Sequence, residues 1–161
     1  MTKELNLENL KQDYQKVQKK YNLPDFDKLN DDFQIEKLSE IETESLIREI
    51  RRVIADRFFN YLRFVESILN PVNSPMFVFS LVKILTTKEK EKLTEIYKKL
   101  AKKEIDIIEL DVKFDEEKEV TFIKESYKVW QDIKEDMLDI IDVIKKNWDN
   151  KLGTNNKGYF G

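Results

Sequence analysis

The sequence predicts an all-α fold: a single-domain bundle of about five helices over residues 1–150, with a flexible tail over 151–161. Three observations carry that expectation. Apolar side chains recur at helical spacing along most of the chain, most clearly over residues 43–70. Glycine is confined to Gly153, Gly158 and Gly161, so nothing before residue 153 uses its conformational freedom. Hydrophobic residues make up 40% and charged residues 38%, the mix of helices with one buried and one solvated face.

The elements follow in order. Over residues 5–22, Leu7, Leu10, Tyr14, Val17 and Tyr21 form a narrow seam suited to lying along another helix. Pro24 ends it and disfavours helical geometry just before it. Asp25 then caps a short turn with Phe26, Leu29 and Phe33 inward. The acid-rich stretch 31–42 reads as a solvated linker or half-helix.

Residues 43–70 form the central helix. Leu46, Ile50, Val53, Ile54, Phe58, Tyr61, Leu62, Val65, Ile68 and Leu69 fall within roughly half of its circumference. A stripe that wide suits a helix with two or more packing neighbours. Ser39 with Glu42 in a capping box, or Thr43 as a later cap, marks its start. Asn70-Pro71 marks its end.

Ser74 as N-cap and Pro75 at the first helical position open the next segment. MFVFSLVKIL, residues 76–85, is apolar on nearly all sides and reads as a buried middle helix, with an exposed partner-binding patch as the alternative. Thr86 and Glu89 form a capping box for a helix with Leu93, Ile96, Tyr97 and Leu100 inward. Residues 104–115 partly alternate as a strand would. Helix to about Leu110 followed by an extended link is the better reading, because no second strand is available to pair. Asp115, followed by Glu116 and Glu117, opens the last helix. Its seam runs through Ile123, Tyr127, Trp130, Met137, Ile141, Ile144 and Trp148 to about residue 149. Tyr159 and Phe160 stand in the tail as a short candidate docking motif.

All five arginines lie in the central helix, at Arg48, Arg51, Arg52, Arg57 and Arg63. Arg57 projects near the middle of the apolar stripe and Arg51 near its edge. A buried guanidinium needs a carboxylate or several carbonyls. Arg57 therefore reads either as a paired core-edge residue or as an anion site. Arg48 and Arg52 fall on the polar side, solvated or paired along the helix. Arg48, Arg51, Arg52 and Arg57 are the candidate partner-binding residues. The lysine clusters Lys16, Lys19, Lys20 and Lys98, Lys99, Lys102, Lys103 read as solvated faces.

Much chemistry is excluded. With no cysteine and no histidine there are no disulfides, thiolate nucleophiles, imidazole bases or histidine zinc ligands. Without glycine before residue 153 there is no P-loop, dinucleotide fingerprint or nucleophile elbow. The acids Asp132, Glu135, Asp136, Asp139 and Asp142 gather opposite the last seam. They read as a solvated face rather than a magnesium site, because no second acidic helix faces them. No metal and no cofactor are expected, and the chain is not expected to be an enzyme. Net charge is −3, which gives no global attraction to nucleic acid. No signal peptide and no membrane span are expected, so the expected location is cytoplasmic.

The run KYNLPDFDKLNDDFQIEKL, residues 20–38, with LIREIRR, residues 46–52, resembles a group of uncharacterised archaeal all-helical proteins. The closing pattern FIKESYKVW…KKNW, residues 122–148, shares the resemblance. It implies an archaeal source and a helical fold, and no activity or functional residues.

The function expected from these readings is a non-catalytic helical interaction protein, an adaptor or structural component, acting as monomer or homodimer on a protein partner. The alternative is an RNA- or ribosome-associated factor that uses the arginine-bearing helix for phosphate contacts, with Phe59 and Tyr61 for stacking.

Overall fold

The computed structural model describes the backbone of residues 3–159 and the side chains of residues 6–150. Among the described residues there are seven helices and no strand: α1 (Lys3–Tyr21), α2 (Phe26–Phe33), a 3-10 helix (Ile35–Glu40), α3 (Leu46–Leu69), α4 (Met76–Ile84), α5 (Thr87–Val112) and α6 (Glu116–Tyr159). The all-α expectation holds, but the count is seven rather than about five. The difference arises mainly between residues 26 and 40. Ile35 and Leu38 are buried there, so the stretch read as a solvated linker is a packed 3-10 helix behind a short α-helix.

Local chemistry sets most element ends. α1 stops where Asn22 turns left-handed at φ 54°, a conformation asparagine tolerates better than most residues. The Leu23 N–H then returns to the Gln18 carbonyl at 3.3 Å, closing the helix end with a Schellman-type bond. Gln34, also left-handed at φ 55°, separates α2 from the 3-10 helix. The cap of α3 is neither Ser39 nor Thr43. Ser45 Oγ accepts the Arg48 N–H at 3.3 Å, and Thr43 Oγ1 accepts the Ser45 N–H at 3.1 Å. α4 begins one residue later than expected, with Pro75 itself at the cap. Half of the Thr86–Glu89 capping box forms: the Glu89 carboxylate takes the Thr86 N–H at 2.7 Å, and the Thr86 hydroxyl donates to the same carboxylate. Asp115 also caps as read, accepting the Lys118 N–H at 3.2 Å.

Contacts divide the chain into two compact units, Met1–Phe59 with Lys103–Val129, and Asn60–Lys102 with Trp130–Gly161. In the first unit, Tyr14, Leu29, Phe33, Ile35, Ile47, Ile50, Ile54, Phe58 and Ile123 are almost fully buried. The Tyr14 hydroxyl donates to the Pro24 carbonyl, and its ring meets Phe26 edge-on at 5.5 Å. Burial, followed by the nearby Asp25 charge, raises the Tyr14 pKa well above its ordinary value, so the phenol stays a donor. In the second unit the core is Leu62, Val65, Ile68, Leu81, Ile84, Leu93, Ile96, Leu100, Ile133, Met137 and Ile140. The Tyr61 and Trp130 rings lie 5.1 Å apart.

α6 buries a row at positions 119, 123, 126, 130, 133, 137 and 140 in 4-3 steps, with Val120 and Phe122 buried beside its first turns. The expected seam shares Ile123, Trp130 and Met137 with this row but leaves it at Tyr127 and beyond Met137, where Ile141 is exposed. α6 is helical through Tyr159, past the expected end near Asp149. The side chains of 151–161 lie outside the described residues, and so does the expectation that Tyr159 and Phe160 form a docking motif.

Candidate interaction surface

The structure scatters the arginine cluster. Arg51, placed by its sequence position at the stripe edge, is the buried one, at 1% exposure. Its Nε and Nη2 donate to the two carboxylate oxygens of Glu119, at 2.7 and 3.3 Å, and its Nη1 donates to Asp111 at 2.9 Å. Burial alone would lower its pKa. The hydrogen bonds and charge of Glu119, and then of Asp111, outweigh burial and raise it, so the guanidinium stays ionised. Arg51, not Arg57, is therefore the buried and paired arginine, which corrects the reading that set Arg57 nearer the core.

Arg57, expected near the stripe centre, is only half-buried and has no ion-pair partner among the described residues. Arg52 is exposed and pairs with Glu49 at 3.0 Å. Arg48 is half-buried, with its guanidinium carbon 5.4 Å from the Phe114 ring centre. Its Nε is buried without a hydrogen-bond partner among the described residues. These side chains do not converge on one anion site. Lys103 is a second correction. Read as part of a solvated face, it is buried at 4%, and its ammonium is held by Glu125 and Asp106 beside the Phe122 ring.

The surface that does stand out lies in the second unit. α4 reads in the sequence as a buried middle helix with an exposed patch as the alternative, and the structure shows the exposed patch. Nine residues of apolar helix have only one inward face, taken by Val78, Leu81 and Ile84. The remaining large side chains point outward: Met76, Phe77 and Phe79 are 84, 57 and 43% exposed, and Val72 in the preceding turn is 71% exposed. The Phe77 ring lies 6.0 Å from that of Trp148. Residues 67–82 contain no charged side chain, so nothing on this stretch repels apolar contact by charge.

No protein-family model, curated protein or solved structure matches this chain. Function is therefore argued from the surfaces themselves.

Beside Val72 lies an open cavity of about 550 Å³ lined by Arg63, Glu66, Ser67, Asn70, Ser74 and Tyr97. It adjoins the apolar face through Val72 and offers hydrogen-bonding groups at its border. The acids opposite the α6 seam lie toward solvent as expected. Asp132, Glu135, Asp139 and Asp142 are exposed, and Lys92 bridges Asp136 and Asp139 at 3.8 and 3.2 Å. Among the described residues no three metal-ligating side chains converge, and no helix is long and apolar enough to cross a membrane.

Sequence reasoning missed Glu119. The signal was present. Counting back in 4-3 steps from Ile123 lands on Glu119, and an acid on a buried row calls for a cation on the facing helix.

Proposed function

We propose that the chain is a cytoplasmic, non-catalytic interaction protein whose protein partner docks on the α4 face through Met76, Phe77 and Phe79. The exposure of these three residues on one uncharged segment is the observation that carries the reading. Contiguous apolar surface of this kind is costly in water and marks contact sites. Aromatic and methionine side chains are the types enriched at interface centres. An apolar protein segment, such as one face of an amphipathic helix, is the matching occupant. RNA is the poorer match. Arg51 is committed to Glu119 and Asp111, Arg52 is paired with Glu49, and α4 itself carries one cation, Lys83 in its last turn, too little for a run of phosphates.

The test is site-specific photocrosslinking from position 79 in native lysate. The captured protein is then purified and its affinity measured by calorimetry. The Phe77→Ser/Phe79→Ser variant should bind at least about tenfold more weakly, while Arg52→Glu/Arg57→Glu should bind normally. Loss of binding only in the arginine variant, together with RNase sensitivity, would move the assignment to the RNA-associated reading. Phe79-dependent flotation with neutral liposomes would replace the protein partner by a lipid surface.

A further inference from the structure

The last two turns of α5, in the first unit, present a second apolar row. Ile105, Ile108 and Val112 are 68, 57 and 82% exposed. Their spacing of three and then four residues sets them in one line along the helix, about 10 Å long at about 1.5 Å per residue. The opposite side of the same turns is the packed one, with Lys103, Ile107 and Leu110 buried. The exposed row is therefore not needed for this helix to hold its place in the unit.

One edge of the row is acidic and the other is mixed, with Lys102 and Lys113 exposed beside Glu109. With about 100° between successive residues, Glu104 and Asp111 project along one side and Glu109 along the other. Residues 104–117 carry seven carboxylates against the single cation Lys113. Glu109 is bonded to Lys118 at 2.6 Å and Asp111 to Arg51 at 2.9 Å, yet both carboxylate side chains remain 60% exposed. Each keeps room for a further cation.

We infer that this row is a docking site for a basic amphipathic helix of a partner protein. A narrow line of apolar residues at positions i, i+3 and i+7 matches the seam of one helix lying along another. The carboxylates of Glu104 and Asp111 along one edge select lysine or arginine on the partner's facing flank. A second copy of this chain would set Glu104 and Asp111 against the same acidic edge. The site is separate from the α4 face and does not rest on its assignment.

Fluorescence anisotropy with two synthetic helical peptides tests the inference. One alternates leucine and lysine in an amphipathic pattern, and the other replaces every lysine by glutamate. The Leu/Lys peptide should bind, more weakly as salt rises, and the Leu/Glu peptide should not. The Ile105→Ser/Ile108→Ser variant should lose at least about tenfold in affinity with unchanged circular dichroism. Met76→Ser/Phe79→Ser should bind as the parent does, which separates this site from the α4 face. Equal affinity for both peptides, or no effect of the Ile105→Ser/Ile108→Ser change, would overturn the inference. So would a concentration-dependent dimer in sedimentation that this variant abolishes, since the occupant would then be a second copy.

Discussion

Arg51 and Glu119, 68 residues apart in the chain, form a two-point ion pair with both side chains all but sealed from solvent. The planar guanidinium fork matches the carboxylate along two directions, which lysine would not reproduce. The pair joins the start of α6 to the first turns of α3. It fixes which faces of the two helices meet in the first unit.

Removing one partner should therefore be costly. Arg51→Met leaves Glu119 buried without its cation, and the expected loss is about 3–5 kcal/mol. Asp111 is solvated and adds little to that figure. Urea denaturation checks it. The double change Arg51→Met/Glu119→Leu should recover most of the loss, because an apolar pair avoids the desolvation of both ions. A double variant no more stable than Arg51→Met would contradict the account.

The exposed arginines should behave differently. Arg52 pairs with Glu49 one turn away, with its side chain 47% exposed. Arg52→Ala should shift unfolding free energy by under about 0.5 kcal/mol, and added salt should shrink even that. A loss above about 1 kcal/mol, measured in the same denaturation series, would show that Arg52 has a structural role.

Glu89 predicts a pH dependence. The Thr86 hydroxyl is the largest cause holding its carboxylate below the ordinary range; burial opposes this, and the Thr86 backbone N–H adds to the lowering. The folded state thus binds this proton less readily than the unfolded chain does. The stability it contributes is complete above the ordinary glutamate pKa and is lost as pH falls through the lowered one. Melting temperatures of the parent and of Glu89→Gln should therefore differ at neutral pH and converge in acid. A constant gap across the titration would count against the cap.

α4 allows a paired test within one helix. Leu81 is buried at 2% exposure and Leu81→Ala should cost about 2–5 kcal/mol. Phe79, two residues earlier and facing solvent, should cost under about 1 kcal/mol as Phe79→Ala. Thermal melts of the two variants would separate them. Comparable losses would mean that α4 is buried on both sides.

Much of the fold was legible because it depends on neighbours in sequence. Asn22-Leu23-Pro24, the Thr86–Glu89 box, Asp115 and Asn70-Pro71 mark helix ends through bonds spanning only a few residues. Residues 104–115 were harder. Apolar side chains occupy both faces of that helix, Ile107 and Leu110 inward and Ile105, Ile108 and Val112 outward, and the overlap of two stripes imitates strand alternation. The arginines were harder still. Position on the apolar stripe ranked Arg57 as more central than Arg51, but burial follows from where the neighbouring helix lies. Glu119 sits opposite Arg51.

The sequence by itself determined that this protein is helical, where most of its helices begin and end, and which chemistries its residue types exclude. Those outcomes follow from periodicity, capping and composition, all properties of a contiguous stretch. Tertiary structure alone decided that Arg51 and Lys103 are buried, that α4 shows one face to solvent, and that α5 carries an apolar row on its outer side. Each of these depends on which side of a helix its neighbours cover. That choice is set by pairings such as Arg51 with Glu119, made across distances in the chain that no local pattern spans.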